Sequence, residues 1–214
     1  MGTGDTRDAT RRAYDAIAED YVERLGDELA YKPLDRAFLG MLAEQAGPGA
    51  ACADLGCGPG HVTGWLAGRR LRLVGIDLSP AMVDIARREH PEAEFRVGDL
   101  LDLPAADGEF ALAIALYSII HLAPEERPRA FTEMRRVVAP GGTVLVSFHV
   151  GDEVRHLTDW WGHAVDIDGW YLPSARIAAE MEGAGLAIEV QLERRNYPEE
   201  VATRRAYLLG RRVP

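Results

Sequence analysis

One stretch limits the fold more than any other. The apolar run Ala51–Leu55 (ACADL) ends in Gly56, Gly58 and Gly60 at alternate positions, with Pro59 between the last two. A strand that enters a glycine-rich turn and then a helix aims free backbone N–H groups and a positive dipole end at whatever lies above the sheet. The dinucleotide fingerprint is G-x-G-x-x-G, and here His61 stands where its third glycine belongs, so the spacing disfavours a nicotinamide cofactor. Three glycines and a proline also weaken a helix start, which speaks for a ligand over a plain tight turn.

The rest of the chain repeats the strand–helix alternation. Tyr14, Ile17, Ala18, Tyr21, Val22 and Leu25 share one face of a helix over Arg11–Leu25, and Leu34, Phe38, Met41 and Leu42 do so over Leu34–Ala46. After Ala51–Leu55, "LRLVGID", "EFRVGD", "FALAIAL" and "TVLVSFHV" read as further strands. Between them lie helices, one with Ser79 at its N-cap and Pro80 at its first position, another from Pro128 to Val138. Ser174 is expected to cap a last helix to about Gly183, followed by "LAIEVQL" and "RRAYLLGRR" as a closing antiparallel pair around "NYPEE". The pattern predicts a doubly wound α/β domain with a seven-stranded sheet, mainly parallel, ended by an antiparallel hairpin and covered by helices on both faces. Residues 1–214 are expected to form one domain. Residues 1–48 would be a helical cap, 49–150 the ligand-binding core, 151–172 a lid or binding loop, and 173–214 the last helix and hairpin.

Composition narrows the function classes. The 214 residues carry a formal charge of -10, which argues against a nucleic-acid partner, since phosphate binding needs a basic face. Cys52 and Cys57 are too few and too close for a disulfide framework, so a cytoplasmic location is expected. No apolar run reaches the length of a membrane span, and the opening MGTGDT, which superficially fits a myristoylation pattern, has no polybasic neighbour; no membrane partner is expected.

Several stretches together carry a family resemblance: "DLGCGPGH", "GIDLSPAMVDIARR", "GDLLDLP", "LYSIIHL" and "RVVAPGGTVLVSF". In register, they resemble the successive motifs of class I S-adenosylmethionine-dependent methyltransferases of the small-molecule type, clearly over Tyr14–Val150 and loosely beyond. The resemblance implies S-adenosylmethionine as cofactor and S-adenosylhomocysteine as product. It implies a cradle of Gly56, Cys57, Gly58 and Gly60, with Asp54 helping to hold the methionine ammonium. Asp77, with Leu78 beside it, would accept from the ribose diol, and Asp99 from the adenine amino group. Leu100 and Met82 would pack on the purine, and Tyr14 and Tyr21 of "YDAIAEDY" would reach the carboxylate end.

Methyl transfer needs a base only where the acceptor must lose a proton, and histidine suits that work. His121 and Tyr117 lie just past the fourth strand, and His149 ends the fifth, so these three are the catalytic candidates. The insertion 151–172 holds Trp160, Trp161, His163, Trp170 and Tyr171, a set suited to a flat aromatic or apolar small-molecule acceptor. His149, His156, Asp159 and His163 match no established metal spacing, so no metal is expected. The histidines rank O-methylation above N- or C-methylation, and "ALYSII" stands where base-modifying enzymes carry a proline-rich motif. A non-catalytic cofactor-binding module and, less well supported, a nicotinamide oxidoreductase are the alternatives. A homodimer is allowed by the sequence and not demanded by it.

Overall fold

The computed structural model describes residues 3–213; the first two residues of MGTGDT and the last residue of the chain lie outside them. In chain order, α1 (Thr3–Leu25) and α2 (Pro33–Ala46) precede β1 (Ala51–Leu55), α3 (His61–Ala67), β2 (Arg72–Asp77), α4 (Pro80–Glu89) and β3 (Glu94–Val97). Then come β4 (Phe110–Leu116), α5 (Arg127–Val137), β5 (Val138–His149), β6 (Val154–Trp160), β7 (His163–Trp170), α6 (Ser174–Gly183), β8 (Leu186–Arg194) and β9 (Arg205–Arg212). Seven strands form one sheet in the order β3-β2-β1-β4-β5-β9-β8. The first five are mutually parallel, and β9 runs antiparallel to both β5 and β8. The expected fold class is therefore the observed one.

The strands of the sheet centre are apolar because both faces are covered. Ala53, Leu55, Val74, Ile76, Ala113, Ala115, Val144 and Val146 face Phe131, Met134, Ile177 and Met181 of α5 and α6. The alternate residues Cys52, Leu73, Leu112, Ile114 and Leu145 face Leu39 and Leu42 of α2 and Val62 and Leu66 of α3. From β1 the chain builds outward through β2 to β3 and then returns to lay β4 on the other side of β1. That reversal opens a crevice beyond the carboxyl ends of β1 and β4, where open α/β sheets bind their ligands.

Four expectations need correction. Helix α2 buries Asp35, Leu39, Leu42 and Ala43, while Met41 is exposed, because Asp35 is turned inward to accept from the Tyr207 hydroxyl at 2.9 Å. Strand β5 begins at Val138, so "APGG" lies within it, beside a register shift opposite Phe110 and Leu112. Pro173 is the N-cap of α6, and Ser174 instead sits inside the helix with its hydroxyl on Glu193. Finally, residues 151–172 are no irregular loop. Strands β6 and β7 pair as an antiparallel hairpin whose two-residue turn, Trp161-Gly162, has φ of 56° and 89°, the left-handed pair that tight hairpins favour.

Candidate functional site

At the crevice the three turn glycines all adopt left-handed φ: 75° at Gly56, 54° at Gly58 and 85° at Gly60. A Cβ on Gly56 would lie 2.4 Å from Cβ of Ser118, so the turn presses directly against the chain leaving β4. Asp54 is buried beneath the turn and accepts from the Thr63 hydroxyl at 2.7 Å; burial raises its pKa. Cys57 points away from the crevice, packed with Val83, Ala86 and Phe95, so only its backbone belongs to the turn. Asp77 ends β2, and its carboxylate accepts from the Gly58 N–H and the Ser79 N–H, each at 2.8 Å. Burial pushes its pKa up to about 6 against those two bonds, with Leu78 half-buried beside it. Ser79 caps α4 as expected, accepting from the Met82 N–H at 3.1 Å, and donates its own proton to Asp15 of α1 at 2.6 Å.

Helix α1 lies over this edge. Asp99, past the end of β3, is paired with Arg7 at 2.9 and 3.1 Å. Leu100 is buried in the main core, and Met82 lies under α1 with Ile17, Ala18 and Ile85. Tyr14 and Tyr21 are neighbours, with ring centroids 6.2 Å apart, and Tyr21 comes within 4.0 Å of where a Gly58 Cβ would stand. The cofactor-side candidates thus converge on one edge, apart from the buried thiol of Cys57.

The candidates for catalysis divide into two groups. His121 is buried, with Nδ1 at 2.8 Å from the Asp168 carbonyl and Nε2 at 2.8 Å from the Tyr14 hydroxyl. A carbonyl can only accept, so Nδ1 carries the proton and Nε2 accepts from Tyr14. Burial lowers the pKa of His121 to about 4, so the ring is neutral. His149 lies in a separate cluster between Tyr117 and Tyr171, with ring centroids 5.1 and 5.3 Å away. Its Nδ1 meets the Thr203 hydroxyl at 2.8 Å, and burial, helped by Arg205 and Lys32, lowers its pKa to about 4. Tyr117 has φ of 55°, rare for a non-glycine residue, and its buried hydroxyl has no hydrogen-bond partner.

The aromatic residues of the hairpin are also split. Trp160 and Trp161 pack on Tyr14, Tyr21 and Val22 of α1, and His163 bonds Asp20 of α1 at 2.7 Å. Trp170 packs against the main core, away from the α1 cluster that holds Trp160 and Trp161, while Tyr171 lines a cavity of about 400 Å³ with Glu153, Arg155 and Thr203. A second cavity, of about 470 Å³, lies between α1 and α4, beside Asp15, Asp84 and Arg88.

Several residues near the crevice carried no sequence signal. Lys32, buried between the two N-terminal helices, bonds Glu28 at 2.6 Å and sits 5.1 Å from the Tyr117 ring centre. Glu28 also meets His61 Nε2 at 3.3 Å. Burial pushes the Glu28 carboxyl up, but His61 and Lys32 outweigh it and hold the pKa at about 2. Glu28 and Lys32 are a local i,i+4 pair, but only long-range placement buries them and brings His61 and Tyr117 to them.

A nucleoside sulfonium with an amino-acid end fits this edge. Gly58, where a Cβ would meet nothing nearer than Tyr21 at 4.0 Å, leaves the backbone open to close approach, and carboxylates stand at the ends of β2 and β3. His61 Nδ1 and the Tyr117 and Ser118 hydroxyls are buried without partners, groups that a polar ligand would satisfy. The sheet order, the switch-point crevice and the glycine turn define a Rossmann-like methyltransferase architecture.

The relatives agree with that class. Residues 52–142 match the family described as "Methyltransferase domain". The malonyl-[acyl-carrier protein] O-methyltransferase of Serratia marcescens is 28% identical over 89% of this chain and 76% of its own length. The 2-phytyl-1,4-naphtoquinone methyltransferase of Thermosynechococcus vestitus is 30% identical over 79% of this chain and 77% of its own. Among solved structures, the 1,6-didemethyltoxoflavin-N1-methyltransferase of Burkholderia thailandensis, with bound S-adenosylhomocysteine, has the same fold. Its TM-score is 0.77 at 16% identity, covering 100% of this chain and 92% of that one. The chain belongs to the class I S-adenosylmethionine-dependent methyltransferases, and its cofactor is S-adenosylmethionine. Among the described residues, no helix is long and apolar enough to cross a membrane.

Proposed function

We propose that the chain O-methylates a small molecule bearing an ionisable hydroxyl, with His121 as the base acting through Tyr14. The observation that carries this reading is the fixed tautomer of His121. The Asp168 carbonyl holds the proton on Nδ1, and the remaining lone pair on Nε2 faces the Tyr14 hydroxyl at 2.8 Å. A hydroxyl of the acceptor that donates to Tyr14 Oη can pass its proton on as the Tyr14 proton moves to Nε2. Burial keeps the ring neutral, so the Nε2 lone pair is free to accept from the Tyr14 hydroxyl.

The cofactor supplies an electrophilic methyl group on a sulfonium and leaves as S-adenosylhomocysteine. The chain's own work is to bind and orient. Asp77 accepts from the ribose diol, Asp99 from the adenine amino group once Arg7 yields it, and Asp54 supports the glycine turn. Met82 and Leu100 give the apolar floor for the purine. His149, Tyr117 and Tyr171, beside the cavity at the end of β5, suit the body of a flat acceptor. Trp160 and Trp161 hold α1 closed over the site and exclude water. The relatives named above act on quite different acceptors, so the choice of O-methylation rests on the His121–Tyr14 pair.

The test is a panel of phenols, carboxylic acids, amines and indoles, read by release of S-adenosylhomocysteine. Turnover of phenols or acids, lost in Tyr14→Phe, supports the proposal. Turnover of amines alone overturns O-methylation. Calorimetric binding of S-adenosylhomocysteine without turnover of any acceptor points to a non-catalytic binding module. Loss of that binding in Asp77→Ala is the check on the ribose assignment.

A further inference from the structure

The crevice has an end that none of the acids at β2 and β3 serves. In the sheet order β3-β2-β1-β4, Asp99 and Asp77 stand to one side of the glycine turn, and Tyr117 and Ser118 leave β4 on the other. A nucleoside held by the two acids therefore points its far end toward the β4 side. There the turn and β4 are in contact, since a Cβ on Gly56 would meet Ser118 at 2.4 Å. Lys32 and Glu28 span the same two sides: Glu28 reaches His61, the first residue of α3 after the turn, at 3.3 Å, and Lys32 stands over the Tyr117 ring at 5.1 Å.

We propose that Glu28 and Lys32 are the receptor for the amino-acid end of the cofactor, Glu28 taking its α-ammonium and Lys32 its α-carboxylate. The inference rests on the reading of the glycine turn as the cofactor cradle. The two side chains face each other at 2.6 Å with only 13% and 6% of their surfaces exposed. Burying an ion pair is costly and contributes little net stability, so its retention calls for another use. A zwitterion is the ligand that can enter between them without leaving either charge orphaned: one ion pair is exchanged for two. Three further polar groups at this end, His61 Nδ1 and the Tyr117 and Ser118 hydroxyls, are buried without partners. The other charges near Lys32 are committed elsewhere. Glu200, 3.8 Å away, is held by Arg194 at 2.6 and 2.8 Å, and Asp35 by Tyr207 and Arg194. Burial, and then the nearby charges of Glu28, Asp77 and Asp54, raise the pKa of Tyr21 of α1.

Two probes separate this role from a structural one. S-adenosylhomocysteine carries the amino-acid end, and 5′-methylthioadenosine lacks it. By calorimetry, Lys32→Met is expected to weaken S-adenosylhomocysteine about 30-fold, the size of one lost charge-assisted hydrogen bond, and to leave 5′-methylthioadenosine unchanged. The double variant Glu28→Gln, Lys32→Met leaves no unpaired buried charge and should show the same selective loss, which keeps the test valid if the single variant fails to fold. Equal loss of both probes, or loss of neither, overturns the proposal. Failure of the unaltered protein to bind either probe overturns the cofactor-cradle reading itself.

Discussion

Substituting Gly56 by alanine adds two separable costs. At φ of +75°, a side chain costs ~1–2 kcal/mol in left-handed backbone conformation. The new Cβ also lands 2.4 Å from Cβ of Ser118 and 3.2 Å from its hydroxyl. Ser118 cannot retreat, because it opens the short 3-10 turn Ile119–His121, whose first residue is fully buried. Overpacking of this kind costs ~1–3 kcal/mol, so Gly56→Ala should lose ~2–5 kcal/mol in all. Gly58→Ala is the internal control: its φ is +54°, and the nearest heavy atom to the new Cβ is Tyr21 Cε1 at 4.0 Å. It should lose only the conformational part, ~1–2 kcal/mol. Urea unfolding with linear extrapolation measures both. In the double variant Gly56→Ala, Ser118→Gly, the cycle should return ~1–3 kcal/mol of favourable coupling, the packing part alone. If Gly56→Ala is no worse than Gly58→Ala, or the coupling is zero, the close approach of the turn to β4 is refuted.

Other expectations follow from the same geometry. His121 and His149 have folded pKa values of about 4, below the unfolded value of ~6.5, so the unfolded chain protonates first and stability falls as pH drops from ~6.5 to 4, by up to ~3 kcal/mol each. Asp77, raised to about 6, opposes them by up to ~3 kcal/mol because its folded form takes the proton first; His121→Gln should leave a nearly flat profile over that range, and an unchanged slope would count against the burial of His121. Tyr14→Phe should lower kcat on a phenolic acceptor about 100-fold or more while S-adenosylhomocysteine affinity by calorimetry holds; equal loss in both would reduce Tyr14 to a binding residue. Ser79→Ala removes the cap of α4 and the bond to Asp15, and should cost ~1–2 kcal/mol in urea unfolding. Arg7→Ala frees Asp99 and should speed association of S-adenosylhomocysteine in stopped-flow tryptophan fluorescence; a slower rate would show that the pair preforms the site.

What could be read from the sequence follows from how each element is buried. Ala51–Leu55 and Phe110–Leu116 were legible to the residue, because a parallel strand covered on both faces is a continuous apolar run with no competing period. The hairpin of residues 154–170 was not, because it is a two-stranded layer outside the main sheet. Val154, His156 and Asp159 are all exposed, and no apolar alternation marks a core face. The turn glycines announced themselves through backbone need, which composition records directly: three left-handed residues cost least as glycine. Side chains that meet across the fold leave no such trace. Lys32 in the break before α2 reads as any surface lysine, and its burial against Glu28 and Tyr117 exists only once α2, the turn and the end of β4 are assembled.

The same distinction bears on which histidine does the chemistry. In the sequence His121 and His149 are equivalent candidates, one just past the fourth strand and the other ending the fifth. The fold separates them by what occupies Nδ1. At His121 that partner is a carbonyl, which can only accept, so the tautomer is forced and the basic nitrogen faces the hydroxyl of Tyr14. At His149 the partner is the Thr203 hydroxyl, which accepts from Arg205 at 2.6 Å and can still either donate to Nδ1 or accept from it. No partner forces the tautomer of His149, and its ring lies against Tyr117 and Tyr171 instead of the Tyr14 hydroxyl. Under the proposed O-methylation His149 is then a wall of the acceptor site, and proton removal falls to His121, whose free lone pair is fixed.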